Sequence, residues 1–321
     1  MAISHRNFLE KVFAAVKGSE ESGLLSDRRA EGLSGLSGLK TVGALQRLVR
    51  LFESDKAACY VEIGVFQGLT LVSTALEAPG LPCFGIDNFA TLDPEGKNLS
   101  IVRDRMDKFV TTNATLINAD FEDALENLDR HLGGRKIGVY FVDGPHDYRS
   151  QLVCLLLARN YLHENAVIVI DDANYADVRW STRDFLLGHP EFKMIFEAYS
   201  PGHPANLTDT EKAKQEAGWL NGVNILVRDP DGLLPDMLPT VDGDRTLYFN
   251  EWLAHRLRLA ELAPEALRLA DAVCSGDGVA EATARETLVD RHANLKDRFK
   301  GRTQDRNMGS AGLSRGRFNA L

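Results

Sequence analysis

From residue 58 onward the chain repeats one pattern: a short apolar run, a turn, then a stretch of helical composition. The runs are 59–63, 83–86, 114–117, 137–142 and 167–170, and residues 192–198 and 223–228 add two more. The segments between them, such as 69–76 and 148–162, have the length and composition of helices. Strands joined through helices run parallel, and their near-continuous apolar character means that both faces of the sheet are covered. The chain is therefore expected to be α/β, with a doubly wound, mostly parallel sheet.

The flanks read differently. Phe8, Val12 and Val16 recur every fourth residue beside Leu9 and Phe13, the stripe of an amphipathic helix. A Gly/Ser-rich loop at 32–38 leads to a second helical pattern at 42–52. Residues 200–218 are polar and carry Pro201, Gly202 and Pro204, as expected of a surface excursion or lid. Beyond Pro230 a cluster of Asp, Gly and Pro marks a boundary, and helical periodicity returns over 249–272, interrupted at Pro264. These signals divide the chain into a helical lead-in (1–55), an α/β core (56–230) and a helical C-terminal extension (231–321). The basic tail at 296–321, with Arg298, Lys300, Arg302, Arg306, Arg315 and Arg317, reads as a solvated, mobile terminus.

Charge and composition narrow the classes of partner. With 37 basic against 46 acidic side chains the net charge is −9, so nucleic acid is not an expected ligand. No apolar run approaches the roughly 18 residues of a membrane span, and Glu10 and Lys11 interrupt the only apolar stretch near the start, against a signal peptide. The four cysteines, Cys59, Cys83, Cys154 and Cys274, show no paired spacing, and three lie in apolar segments. A cytoplasmic protein is expected, with no membrane partner, and a homo-oligomer is compatible with the terminal helices.

In open α/β sheets ligands bind beyond the carboxyl ends of the strands. Those ends here carry Glu62, Asp87, Asp120, Asp143 and the pair Asp171-Asp172, an accumulation of carboxylates that is the main functional signal. Gly64 and Gly68 let the backbone turn sharply after the first strand. The dinucleotide fingerprint GxGxxG is absent, because its central glycine falls at Phe66. Glu62 beside the turn suits a ligand with an amino or sulfonium group better than one with phosphates. Asp87, about twenty residues on, is placed to accept hydrogen bonds from ribose hydroxyls. Asp120 is also a helix N-cap, since Ala124, Leu125 and Leu128 follow at helical spacing.

Over residues 60–228 the sequence resembles the class I S-adenosylmethionine-dependent methyltransferases. Residues 61–68, VEIGVFQG, look like that family's first motif with a bulky residue between the outer glycines. Gly85-Ile86-Asp87 looks like its ribose-binding acid, and Asn118-Ala119-Asp120-Phe121 like the segment that meets the adenine ring. The resemblance implies a Rossmann-like fold of the seven-stranded methyltransferase type, with Glu62, Gly64, Gly68, Asp87, Asp120 and Phe121 around S-adenosylmethionine.

Asp143 ends one strand and Asp171-Asp172 the next, with one helix between them, so the three carboxylates are expected to converge. Like charges so close raise one another's pKa unless a cation neutralises them, and carboxylate oxygens without cysteine select Mg²⁺, Mn²⁺ or Ca²⁺. The alternative is that each acid caps a helix or stays hydrated. The spacing resembles the metal-dependent O-methyltransferases of the catechol type and of the type that methylates sugars of macrolide and aminocoumarin antibiotics. That likeness implies Asp143, Asp171 and Asp172 as metal ligands. His146 lies where catechol-type enzymes place a lysine; it is a candidate general base, with a metal-bound Asp143 as rival, and otherwise caps the following helix or orients Asp143.

The expected reaction is methyl transfer from S-adenosylmethionine to a hydroxyl of a small molecule, a sugar or a diol- or catechol-like acceptor, assisted by a divalent metal. Two other classes fit the same fold: a nicotinamide-dependent oxidoreductase and a non-catalytic S-adenosylmethionine-binding protein. Tyr175, Trp180 and Trp219 are aromatic residues near the strand ends that read more simply as packing.

Overall fold

The computed structural model describes residues 4–202, 207–241, 251–299 and 313–320. It begins with α1 (His5–Ser22), whose N-cap Ser4 accepts a hydrogen bond from the Asn7 amide, and continues through a loop to α2 (Leu39–Arg50). The α/β unit follows as β1 (Ala58–Ile63), α3 (Leu69–Glu77), β2 (Cys83–Ile86), α4 (Asn98–Lys108), β3 (Ala114–Ile117), α5 (Phe121–Glu126), α6 (Asp129–Leu132), β4 (Lys136–Val142), α7 (Tyr148–Ala158), β5 (Leu162–Asp171) and α8 (Ala176–Gly188). The chain then forms β6 (Phe192–Ala198), α9 (Asp209–Glu216), β7 (Val223–Arg228), α10 (Glu251–Ser275), α11 (Gly278–Phe299) and β8 (Arg317–Phe318).

The strands make one sheet in the order β3-β2-β1-β4-β5-β7-β6-β8. The five strands from β3 to β5 are parallel, and β7 inserts antiparallel between β5 and β6. Strand order reverses between β1 and β4, which makes their carboxyl ends the crevice where ligands of such sheets bind.

Alternation along each strand sends side chains to two separate cores. Tyr60, Val139, Phe141, Val167 and Ile225 face α1 and α2, joining Leu9, Val12, Leu45 and Leu48. Val61, Tyr140, Val142, Ile168 and Ile170 face the other way, against Cys154, Leu155, Val178 and Phe185. The sequence pattern of near-continuous apolar strands thus has its physical reason, for neither face is left to water. Cys59, Cys83 and Cys154 are free thiols that fill these cores, whereas Cys274 is exposed.

Two expectations about the C-terminal part are corrected. The helix containing Pro264 is not interrupted there; α10 runs through it. The tail is not mobile over its whole length. Residues 317–318 pair antiparallel with β6 as an eighth strand, with Phe318 opposite Phe196. Three contacts fix it: Phe318 packs on Phe196 and Phe13, Arg317 pairs at 2.7 Å with the buried Glu197, and the Asn319 amide side chain donates to the Met194 and Pro235 carbonyls. Of the basic residues named in that tail, Lys300, Arg302 and Arg306 lie outside the described residues. Among the described residues no helix is long and apolar enough to cross a membrane.

Candidate active site at the carboxyl ends of the sheet

The turn after β1 is built around positions where only certain backbones fit. Gly64 has φ 85°, and a Cβ there would lie 1.9 Å from the Asp143 carbonyl oxygen. The ends of β1 and β4 therefore touch through a glycine that nothing larger can replace. Gly68, φ 81°, caps the start of α3. Between them Phe66 takes the left-handed conformation, φ 50°, uncommon for a bulky residue and held here by its neighbours.

Asp87, at the end of β2, is the neighbour that holds it. One carboxylate oxygen accepts from the Val65 and Phe66 amides, both at 2.8 Å, and the other accepts from the Phe89 amide at 2.7 Å. An acid placed for ribose hydroxyls thus also fastens the turn. Asp120 caps α5 by accepting from the Glu122 amide at 2.9 Å, as its sequence context required, and it also accepts from the Asn88 side chain at 3.3 Å. Phe121 is half-buried and leans on the core beside them.

Glu62 lies within β1 and faces the same way as Tyr60, whose hydroxyl donates to it at 2.5 Å. Burial pushes its carboxyl up to about 8, even though Tyr60 and Thr70 favour the charged form. At neutral pH the side chain is mostly protonated, so it does not set a free negative charge beside the turn as the sequence suggested.

The ends of β4 and β5 carry a different arrangement. One ligand atom from each of Asp143, His146 and Asp172 lies within 4.8 Å of the other two. His146 Nε2 is 2.7 Å from Asp172 Oδ2, and its ring stacks on Tyr175 with centroids 4.7 Å apart and planes 16° off parallel. His146 does not cap the helix that follows; Asp147 does, accepting from the Ser150 amide. Asp171, expected as a third carboxylate ligand, is not part of this group; it is buried, and its Oδ1 has no hydrogen-bond partner.

The charges of this group cannot all stand alone. Burial and the neighbouring Asp172 charge push the Asp143 carboxyl well above the usual carboxylate range. Burial, then Asp143 and Asp172, does the same to Asp171. Asp172 goes the other way: burial works against its charge, but His146 and the hydrogen bonds of Asn221 and Asp143 outweigh it. A proton shared between Asp143 and Asp172 is the smallest cation that satisfies the cluster. Two carboxylates and an imidazole also fit a divalent ion. Oxygen donors suit Mg²⁺, Mn²⁺ or Ca²⁺, and an imidazole beside them shifts that preference toward Mn²⁺.

Asp172 is held in a left-handed conformation, φ 57°. The braces are residues to which the sequence gave no role in the site. Arg179, a fully buried side chain on α8, donates through Nη1 to the Ala173 and Asn174 carbonyls. Asn174 exchanges hydrogen bonds with Ser200, and its amide donates to the Asn221 carbonyl at 2.7 Å. Gly222, φ 82°, leaves no room for a Cβ, which would lie 2.6 Å from Asn174 Oδ1. A signal for Arg179 did exist, since it shares the buried side of its helix with Val178, Thr182 and Phe185. Asn221 and Gly222 precede a strand distant in sequence, and nothing local marks them. Trp219 is a packing residue, donating to Glu20 on α1 and meeting the Phe196 ring at a tilt of 49°.

Residues 61–173, from the first strand through both acid-bearing ends, match the family described as a methyltransferase domain. No curated protein matches the chain. Similar solved structures include the O-methyltransferase TomG from Streptomyces achromogenes with bound SAM, at 15% identity over 71% of this chain and 100% of that chain, TM-score 0.45. An O-methyltransferase from Bacillus cereus with SAH is 12% identical over 71% of this chain and 92% of that chain, TM-score 0.44. Cofactor-bound Rv0187 from MTB is 16% identical over 69% of this chain and 90% of that chain, TM-score 0.43. The family match falls on the β1 turn, the β2 acid and the β4 and β5 ends together, so residues 61–173 of this chain are similar to a methyltransferase domain.

Proposed function

We propose that the protein is an O-methyltransferase that acts on a hydroxyl of a small molecule with the help of a divalent cation held by Asp143 and Asp172. The observation that carries this reading is the packing of Asp143, His146 and Asp172 within 4.8 Å at the switch point of the sheet, next to the turn after β1. The chemistry such an ion supplies is a lower pKa for a coordinated hydroxyl and a fixed direction for its oxygen. A chelating acceptor follows from this, a vicinal diol of a sugar or a catechol-like ring.

The chain's own residues account for the remainder. The turn formed by Gly64, Phe66 and Gly68, fastened by Asp87, shapes the methyl-donor side, and Asp120 and Phe121 border it. Alignment of donor and acceptor is the main service asked of the protein in a displacement of this kind. His146 is held by Asp172 and Tyr175 at the edge of the cluster, where a neutral imidazole accepts the acceptor's hydroxyl proton.

A second reading, favoured by the same short distances, makes His146 a third metal ligand. The His146→Gln variant separates them: loss of turnover with Mn²⁺ affinity intact supports the base, and joint loss supports the ligand. The proposal as a whole is tested by following methyl-donor consumption across mixed sugar and phenol acceptors, with and without chelator. Turnover on a diol or catechol that chelator stops and Mg²⁺ or Mn²⁺ restores is the expected result; turnover indifferent to chelator contradicts it.

A further inference from the structure

The helical hairpin α10–α11 lies outside the catalytic unit and has a surface that the fold does not use. Between its two helices Leu262 packs on Leu295, and Leu269 and Ala272 on α10 and Ala284 and Leu288 on α11 are shielded from solvent. Glu265, at the middle of that seam, is buried and paired with Arg268 and Arg291. The apolar content of the seam is small, with Leu295 and Leu262 forming its only cluster among the described residues. Both ends of the excursion nonetheless return to one place on the core, because Asn319 donates to the Pro235 carbonyl.

A second face of α10 is apolar and exposed throughout. It comprises Leu259, Ala260, Ala263, Ala266, Leu267, Ala270, Val273 and Cys274, all exposed, with Leu267 65% accessible. Their spacing follows three heptad series, 259/266/273, 260/267/274 and 263/270, which is the pattern of a helix seated along another helix. A helix with one buried and one exposed apolar face is short of a partner.

The arrangement of this face selects the partner. Reflected about the midpoint between Ala266 and Leu267, every position falls on another member of the set. An antiparallel pair of identical helices related by a two-fold axis makes that same reflection. In it Leu259 meets Cys274, Val273 meets Ala260, Leu267 meets Ala266, and Ala263 meets Ala270. Each large side chain faces a small one, as close packing of two helices demands. A sixteen-residue stretch is about 24 Å long on a helix about 10–12 Å across, which gives α10 alone about a third of the roughly 800 Å² per partner that a stable dimer buries. The remainder falls to α11, whose Val279 and Val289 are exposed.

We infer that this protein is a homodimer assembled through α10, which pairs antiparallel with α10 of a second copy of the chain to form a four-helix bundle distant from the methyl-transfer site. The test uses the full chain, measured by sedimentation or light scattering at micromolar concentration. Twice the 35.4 kDa chain mass is expected for the natural sequence, and 35.4 kDa for Leu267→Lys, whose side chain is exposed in the single chain and whose change therefore leaves the fold of each chain, read by circular dichroism, intact. Direction is read by cross-linking: with an added disulfide oxidant, Leu259→Cys joins two chains through Cys274, and the natural sequence does so much more slowly. A natural chain that sediments at 35.4 kDa, a Leu267→Lys dimer, or efficient Cys274-to-Cys274 linkage in the natural chain each overturns the inference.

Discussion

The acids after β1 and β2 and the acids after β4 and β5 sit at the same edge of one sheet, yet they are used in opposite ways. Asp87 spends both carboxylate oxygens on three backbone amides, and Glu62 is mostly protonated against Tyr60. Asp87 builds the turn, whereas Glu62 is held by Tyr60 and keeps one buried oxygen without a partner. At β4 and β5 the carboxylates face one another and a histidine, with an Asp171 oxygen left without a partner in a buried position. Buried polar groups that remain unsatisfied are uncommon and costly, and at a strand end they point to something the chain does not itself provide. The lesson is that a row of acids along a sheet edge is not one device: Asp87 fastens a turn, whereas Asp143 and Asp172 meet each other and a histidine.

The largest effects should come from breaking the second device. Asp143→Ala and Asp172→Ala are each expected to lower methyl transfer by about 100-fold or more, because the acceptor loses its alignment and activation. S-adenosylhomocysteine binding, measured by calorimetry, should change by less than about threefold. Equal losses in both would mean that the two regions are not separate devices.

A Gly64→Ala change strikes the point where the regions touch. With a Cβ 1.9 Å from the Asp143 carbonyl and φ at 85°, it should cost more than about 3 kcal/mol in urea unfolding. A stability within about 1 kcal/mol of the natural protein would show that the β1 and β4 ends are not in contact in solution.

The smallest effect sharpens the first device. Folding raises the Glu62 carboxyl from its ordinary value near 4.5 to about 8. Below pH 4.5 both folded and unfolded chains hold the proton and the group is neutral in its effect. From pH 4.5 to 8 the unfolded chain releases the proton and the folded chain keeps it, so this group's contribution to stability falls as pH rises, and it levels off above pH 8. Glu62→Gln cannot titrate and escapes that fall. Its melting temperature relative to the natural protein should therefore climb steadily between pH 5 and pH 8, and a flat difference would mean that Glu62 is ionised in the fold.

The parts of this arrangement visible in the sequence are those set by local chemistry. Runs such as 83–86 and 114–117 form strands at those same residues because apolar character and flanking turns define them locally. Asp120 was legible as a cap for the same reason. The likeness to a methyltransferase rested on motifs within residues 61–173, the region that the family match covers. What was not legible depends on contacts between distant segments. Arg179 supports Asp172 through two carbonyls, Gly222 makes room for Asn174, and the identity of the third group beside Asp143 and Asp172 is decided by the turn after β4. β8 escaped notice because a two-residue strand in a basic tail carries no periodicity; the buried Glu197 and the Phe196 ring select it.

The central claim is that the cluster at the β4 and β5 ends holds a divalent cation whereas the acids at β1 and β2 do not. Calorimetric titration of Mn²⁺ into the natural chain, Asp172→Asn and Asp87→Asn addresses it most directly. One ion per chain is predicted for the natural protein and for Asp87→Asn, with binding abolished in Asp172→Asn. Binding that survives in Asp172→Asn, or none in the natural protein, contradicts the account.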